Sequence, residues 1–113
     1  MNNVNNPPIT SSLGGVTTQT DVHLSRACDA TVYHNTSSKP MFVLIALHLG
    51  LNEYADFYAD VNAAPTLKVN HMGYAGTATP ENILSFGSWV LAGNYYKCNV
   101  SASGTIFLWT EYV

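Results

Sequence analysis

The sequence predicts an all-β fold: an antiparallel β-sandwich or barrel of about seven or eight strands behind an extended N-terminal arm. Three observations predict it. Short apolar or alternating runs recur, split by turn-forming clusters at about 8–12-residue spacing. No helical period is sustained over a long window. No βαβ pattern or internal repeat occurs. The 113 residues suit one domain, divided here into an arm, 1–20, and a sandwich, 21–113.

The elements follow in order. Residues 1–20 are Asn, Pro, Thr, Ser and Gly with isolated apolar side chains. Alone, such a segment lacks the means to order itself. Laid on a partner it becomes a strap, with Val4, Pro7, Pro8, Ile9 and Leu13 as its contacts. "TDVHLS" (20–25) alternates weakly and adds a first edge strand. "ATVYHN" is a short alternating run, ended by the turn formers of "NTSSKP". "MFVLIALHL" (41–49) is continuously apolar and branched, either a strand buried on both faces or a buried helix; its length and flanks favour strand.

"YADFYADV" (54–61) puts Ala55, Phe57, Ala59 and Val61 on one face and Tyr54, Asp56, Tyr58 and Asp60 on the other. Tyr54, Phe57, Tyr58 and Val61 also fit a helical stripe, but the neighbours all read as β. "PTLKVNHMGY" (65–74) predicts Leu67, Val69 and His71 inward, with Thr66, Lys68 and Asn70 outward. In "GTATPENIL" (76–84), Thr79 and Pro80 suit the start of one helical turn. "ILSFGSWVL" (83–91) is the next strand, with Gly87 at a bulge or close packing point.

"YYKCNV" (95–100) sets Tyr96, Cys98 and Val100 opposite Tyr95, Lys97 and Asn99. It reads as a hairpin with "TIFLWTEYV" (105–113) across a four-residue loop. In that last strand, alternation groups Phe107 with Trp109 and opposes them to Ile106, Leu108 and Tyr112. Both sets are too apolar for water. The strand is therefore expected mid-sheet, one face in the core and part of the other against a second subunit.

Composition narrows the function. Charged residues are 10% of the chain and hydrophobic ones 47%, with seven tyrosines; an average domain carries about 25% charged residues. A surface of Ser, Thr, Asn and Tyr suits a protein that works bound to others. Arg26, Lys39, Lys68 and Lys97 are scattered, so no patch is expected to bind nucleic acid. The longest apolar run is too short and interrupted to span a membrane. The N-terminus lacks a basic region followed by an apolar one, so synthesis in a cytoplasm is expected.

Catalysis is not expected. Asp56 and Asp60 would lie about 13 Å apart on one strand face, too far for a glycosidase pair; they read as solubilising charges. His23, His34, His48 and His71 have no metal-ligand spacing, although His34 and His48 flank one predicted hairpin. No serine sits in a nucleophile elbow, and Cys98 reads as a core thiol. Cys28 and Cys98 permit one bridge, which sequence leaves open. The N-x-[ST] matches at Asn35 and Asn99 read as chance. No cofactor is expected. Tyr54, Tyr58, Tyr95 and Glu111 suit an outer groove for a sugar, or a protein contact, where tyrosine is equally at home.

Two stretches carry a family resemblance. "TVYHNTSSKPMFVLIAL" holds Tyr33, Asn35, Thr36, Lys39 and Pro40. "SWVLAGNYYKCNVSASGTIFLWTEYV" holds Val90, Gly93, Tyr95, Tyr96, Trp109 and Glu111. Together, over about residues 30–113, they resemble small jelly-roll-like β-domains of tailed-bacteriophage virion proteins. Leu91-Ala92 depart from a proline common there. The resemblance implies a capsid decoration or staple protein, or the tip of a tail or head fibre. A chain without a long fibrous region favours the first. The expected partners are then the major capsid protein and further copies of this chain, on the capsid exterior. Tyr54, Tyr58, Tyr95, Trp109 and Tyr112 are the expected interface residues. The fibre reading would instead place a host-surface glycan against the tyrosines.

Overall fold

The computed structural model describes residues 15–73, 82–101 and 105–113. Eight strands lie among them, paired as nested antiparallel partners. β1 (Gln19–Asp21) pairs with β8 (Thr105–Tyr112), and β2 (Tyr33–His34) with β7 (Tyr95–Val100). β3 (Met41–Leu49) pairs with β6 (Asn82–Val90), and β4 (Tyr54–Asp60) with β5 (Lys68–Gly73). β8 also pairs with β3, and β7 with β4. The result is two four-stranded sheets, ordered β1-β8-β3-β6 and β2-β7-β4-β5. The chain behaves as one long hairpin doubled over on itself, which is the jelly-roll arrangement.

Three sequence expectations change. β7 and β8 are not a hairpin, because they lie in opposite sheets. Each has an apolar inner face, and the two faces meet across the sandwich only if the strands separate. The strand expected over 20–25 is Gln19–Asp21, followed by a 3₁₀ turn at His23–Ser25. β5 is inverted: Asn70 and Met72 pair with the inward Phe57 and Ala55, while His71 pairs with the outward Asp56. A bulge between Asn70 and Lys68 leaves Val69 unpaired and resets the alternation. The helical turn expected at Thr79 and Pro80 lies outside the described residues.

The last strand does lie mid-sheet, between β1 and β3. A bulge there overturns the expected faces as well. Leu47 pairs with Ile106 and Ala46 with Leu108, so Phe107 is the extra residue. Ile106 and Trp109 both turn inward, whereas Phe107 is 57% exposed. The final residue is held by the strap that precedes β1. Thr17 and Thr18 amides donate to the Val113 carbonyl at 3.0 and 2.8 Å, and the Val113 amide returns to Thr18 at 3.0 Å.

Met41, Val43, Ile45, Leu47 and Leu49 from β3 make one wall of the core, with Trp109 and Val90. Ala55, Phe57, Ala59, Tyr96 and Cys98 make the other. One polar cluster bridges the walls. Glu111 is buried on β8, and its Oε2 accepts from Tyr96 Oη (2.6 Å), Trp109 Nε1 (3.1 Å) and Arg26 Nε (3.1 Å). Its Oε1 accepts from Arg26 Nη2 at 3.0 Å. Arg26 also lies over the Tyr33 ring, 4.6 Å from its centroid. Burial opposes the guanidinium's charge, but the Glu111 bond and charge outweigh it and hold its pKa above the ordinary value.

A second buried hub is Asn35. Its amide NH2 donates to the carbonyls of Lys39 (3.0 Å), Val90 (3.1 Å) and Leu91 (3.2 Å). Its carbonyl oxygen accepts from Ser37 N and Oγ, at 3.1 and 2.7 Å. Ser37 Oγ also donates to the Lys39 carbonyl at 2.8 Å, which closes this loop. Gly93, at φ 80°, occupies the β6–β7 turn and donates its amide to Asn35. Asn35 thus ties the entry of β3 to the exit of β6 through backbone groups.

Two outcomes are expected. Asn35→Ala removes five side-chain hydrogen bonds from this buried loop junction and should lower unfolding free energy by about 2–3 kcal/mol, measured by urea denaturation. The second concerns alkali. Burial first, then the Glu111 bond, raises the Tyr96 pKa above 10.0. A hydrogen bond with Cys28, then burial, raises that of Cys98 above 9.0. Both groups are neutral below those values, so their contribution is intact there and lost as pH climbs past them. The denaturation midpoint should fall from pH 8 to about 11. Tyr96→Phe should start lower and fall less steeply.

Candidate functional site

The two sheets present outer faces of different chemistry. On the β1-β8-β3-β6 sheet, alternation sends Phe42, Leu44, Ala46 and His48 of β3 outward. Register places Trp89 and Tyr112 on either side of Phe42, and Gly87 and Thr110 beside Leu44. Trp89 meets the Phe42 ring edge-on at 5.1 Å, and Tyr112 lies 6.2 Å from it on the other side. Val16, from the strap, joins Phe42, Leu44, Trp89 and Tyr112 around an apolar groove of about 300 Å³.

Gly87 is a close packing point, not a bulge. A Cβ built there would lie 2.3 Å from Phe42 Cζ, so the absent side chain is what lets the ring lie flat across β6. At the same strand Asn70 Nδ2 donates to the Gly87 carbonyl at 2.8 Å. That bond satisfies an edge group which would otherwise face solvent.

The apolar surface continues around this edge. Trp89 is also on the rim of a second cavity, about 330 Å³, where Val61, Leu67, Val69 and Leu91 are joined by Ala59, Asp60 and Asn94. Trp89 is 54% exposed and Leu91 61%. A belt of aromatic and branched side chains thus runs from Tyr112 to Leu67 with an exposed tryptophan at its middle. Such contiguous patches mark interaction surfaces, and tryptophan is the residue that most often dominates their energetics.

The outer face of the β2-β7-β4-β5 sheet is mixed. Tyr95 stacks on His34 at 4.0 Å, and His34 Nε2 bonds the Gly93 carbonyl at 3.0 Å. Lys97 Nζ lies 5.0 Å from the Tyr58 ring centroid. Asp56 sits between His71 Nδ1 (2.5 Å) and Lys68 Nζ (3.3 Å), and the Tyr54 ring lies 5.7 Å from that of His71. Asp56, Lys68, Lys97, His34 and His71 are thus each paired with a ring or an opposite charge.

The sequence-predicted residues therefore divide. Tyr54, Tyr58 and Tyr95 share the mixed face. Tyr112 lies on the opposite, apolar face. Trp109 is fully buried and packs in the core, so it is not available to an interface. Glu111 is also inside and cannot line a sugar groove. Asp56 is buried in its pairings, not a solvated charge. Asp60 organises a loop instead: its carboxylate accepts the amides of Asn62, Thr66 and Leu67 at 2.7–3.0 Å, which hold its pKa below the ordinary value. Of the arm contacts, Val4, Pro7, Pro8, Ile9 and Leu13 lie outside the described residues.

The histidines stay apart. His34 and His48 sit in opposite sheets, and His23 bonds Asp21 at 2.8 Å. No group of three or more metal-ligating side chains converges among the described residues. Cys28 and Cys98 are buried free thiols in one core cluster.

Sequence reading missed Phe42, Leu44, Trp89 and Leu91. The signal for β3 was present, since a continuous apolar run requires both of its faces to be covered. Nothing on the chain marked Trp89 as outward, because its parity depends on pairing with Phe42. Gly87→Ala should push the Phe42 ring off β6, cost about 1–3 kcal/mol in a thermal melt, and shift Trp89 fluorescence. No protein-family model, curated protein or solved structure matches this chain.

Proposed function

We propose that this chain is a virion structural protein of a tailed bacteriophage, one that docks on the outer capsid surface and stabilises it through protein–protein contacts. The observation that carries the reading is the Trp89-centred apolar belt. The virion setting rests on the sequence resemblance. The partners are the major capsid protein and further copies of this chain. The mechanism is passive. At about 25 cal/mol per Å² of apolar surface removed from water, the belt supplies a driving force without chemistry. Part of it offsets the cost of immobilising the partners, and many copies on one shell add avidity.

A second reading is favoured by the mixed face. The stacked His34–Tyr95 pair and the Tyr54 and Tyr58 rings offer flat apolar planes beside paired polar groups, which suits a host-surface glycan at a fibre tip.

One experiment separates them. Copies per purified virion should number on the order of hundreds for a capsid site, and about a dozen or fewer for a fibre. Leu67→Asp with Leu91→Asp should abolish capsid association, while Tyr54→Ala with Tyr95→Ala leaves it intact. The opposite pattern would sink the capsid reading and favour the glycan.

A further inference from the structure

The chain has two cysteines, distant in sequence, and the fold brings both to one place. Cys28 lies on the connection between the 3₁₀ turn and β2, and Cys98 lies within β7. An isolated antiparallel bridge joins Asp29 to Asn99, and the Ala30 amide donates to the Cys98 carbonyl at 3.0 Å. Alternation about that bridge puts both cysteines on the inward side, where they are 7% and 0% exposed in one core cluster. The Cys28 side chain is the largest single influence on the Cys98 thiol, through a hydrogen bond that outranks burial.

Cys28 is the only buried position from residue 15 to residue 34, so it pegs an otherwise half-exposed connection into the sandwich. Ala30, two residues on, has φ 71°, a bend outside strand geometry, and no ladder extends the Asp29–Asn99 bridge. A disulfide needs its sulfurs about 2 Å apart. A segment held to β7 by one bridge can close on it without disturbing the sheet. Two residues before each cysteine stand Arg26 and Tyr96, and both donate to Glu111. A bond between the sulfurs therefore fastens the segment carrying one donor to the strand carrying the other.

We propose that Cys28 and Cys98 are a latent intramolecular disulfide: thiols in a reducing compartment, and a covalent staple between the segment before β2 and β7 once the chain meets a low-molecular-weight disulfide in an oxidising one. One cysteine thiolate attacks the small disulfide, whose S–S bond breaks and releases one thiolate. The second cysteine thiolate attacks the mixed disulfide at the protein sulfur and expels the other. The two cysteines lose two electrons and two protons, and the small disulfide gains both and leaves as two thiols. The Cys28 bond and burial raise the pKa of the Cys98 thiol, and both sulfurs are shielded. Reaction in the folded chain is therefore slow, and the bond forms during folding or while this connection is open. The loop it closes is long, the case in which a cross-link restricts the unfolded chain most. The proposal goes beyond the virion reading and does not depend on it.

The test refolds the reduced full-length chain from guanidinium in buffers of oxidised and reduced glutathione, so that the sulfurs react before they are buried. Samples are quenched with N-ethylmaleimide in denaturant and weighed as intact protein. The refolded protein should carry no maleimide and no glutathione, with a mass about 2 Da below the dithiol, and its peptide map should join Cys28 to Cys98. The glutathione ratio that half-oxidises it should be at least about tenfold more reducing than for the chain kept in guanidinium. By linkage the oxidised protein should then melt about 5 °C or more above the reduced one. A ratio no more reducing than in guanidinium, a glutathione on each cysteine, or a disulfide-linked dimer overturns the proposal and leaves the pair as core thiols.

Discussion

One carboxylate carries the joint between the two sheets. Glu111 points into the sandwich from β8 and receives donors from the opposite wall, its own strand and the segment before β2. A buried carboxylate in an apolar core costs several kcal/mol unless its charge and lone pairs are met. Here Arg26 supplies the countercharge in a two-pronged contact, while Tyr96 and Trp109 supply neutral donors. Those donors need an acceptor for the same reason, since both rings are too large to leave the core and both carry a polar atom. The cluster is therefore a closed account of hydrogen bonds. It fixes which faces of β7 and β8 meet, a choice that apolar packing alone leaves loose.

That choice propagates outward. With Trp109 and Glu111 inward, alternation sends Thr110 and Tyr112 outward. The mid-sheet position of β8 then places Tyr112 beside Phe42, and Phe42 beside Trp89. The apolar face is thus a consequence of the buried cluster read through strand register. Strap and C-terminus close the same end of the sheet, and Asn35 locks the loops behind it. The groove is bounded by elements that are each held by backbone hydrogen bonds, which keeps its shape independent of any ligand.

Much of this was legible in the sequence, and the exceptions have a common cause. Turn chemistry and alternation predict eight strands, a sandwich and the inward sides of β7 and of β4 at Ala55, Phe57 and Ala59 correctly; Val61, expected on that face, lies past the end of β4 and is exposed. The inward sides of β5 and β8 come out wrong because each contains a bulge. One added residue reverses alternation beyond it, and neither Val69 nor Phe107 is a residue type that announces a bulge. The hairpin expected between β7 and β8 failed for a different reason. Short loops signal proximity in sequence, but a sandwich can use the same short loop to step from one sheet to the other. Asn35 reads as a glycosylation match in sequence, yet its side chain is committed to four backbone groups and one hydroxyl.

The contrast between the two outer faces is the strongest reason to read the apolar one as functional. Outward positions on a sandwich contribute little to the core, so polar residues there are tolerated at small cost. The β2-β7-β4-β5 face follows that rule, with Asp56, Lys68, Lys97, His34 and His71 among its rings. The β1-β8-β3-β6 face departs from it at Phe42, Leu44, Trp89, Leu108 and Tyr112, and the departure continues around the edge to Leu67 and Leu91. Folding does not require it, since Val43, Ile45 and Leu47 already fill the inner side of β3. The low charge content of the chain is concentrated in this asymmetry. A sheet that keeps its outer face apolar where its neighbour does not is shaped by what covers it.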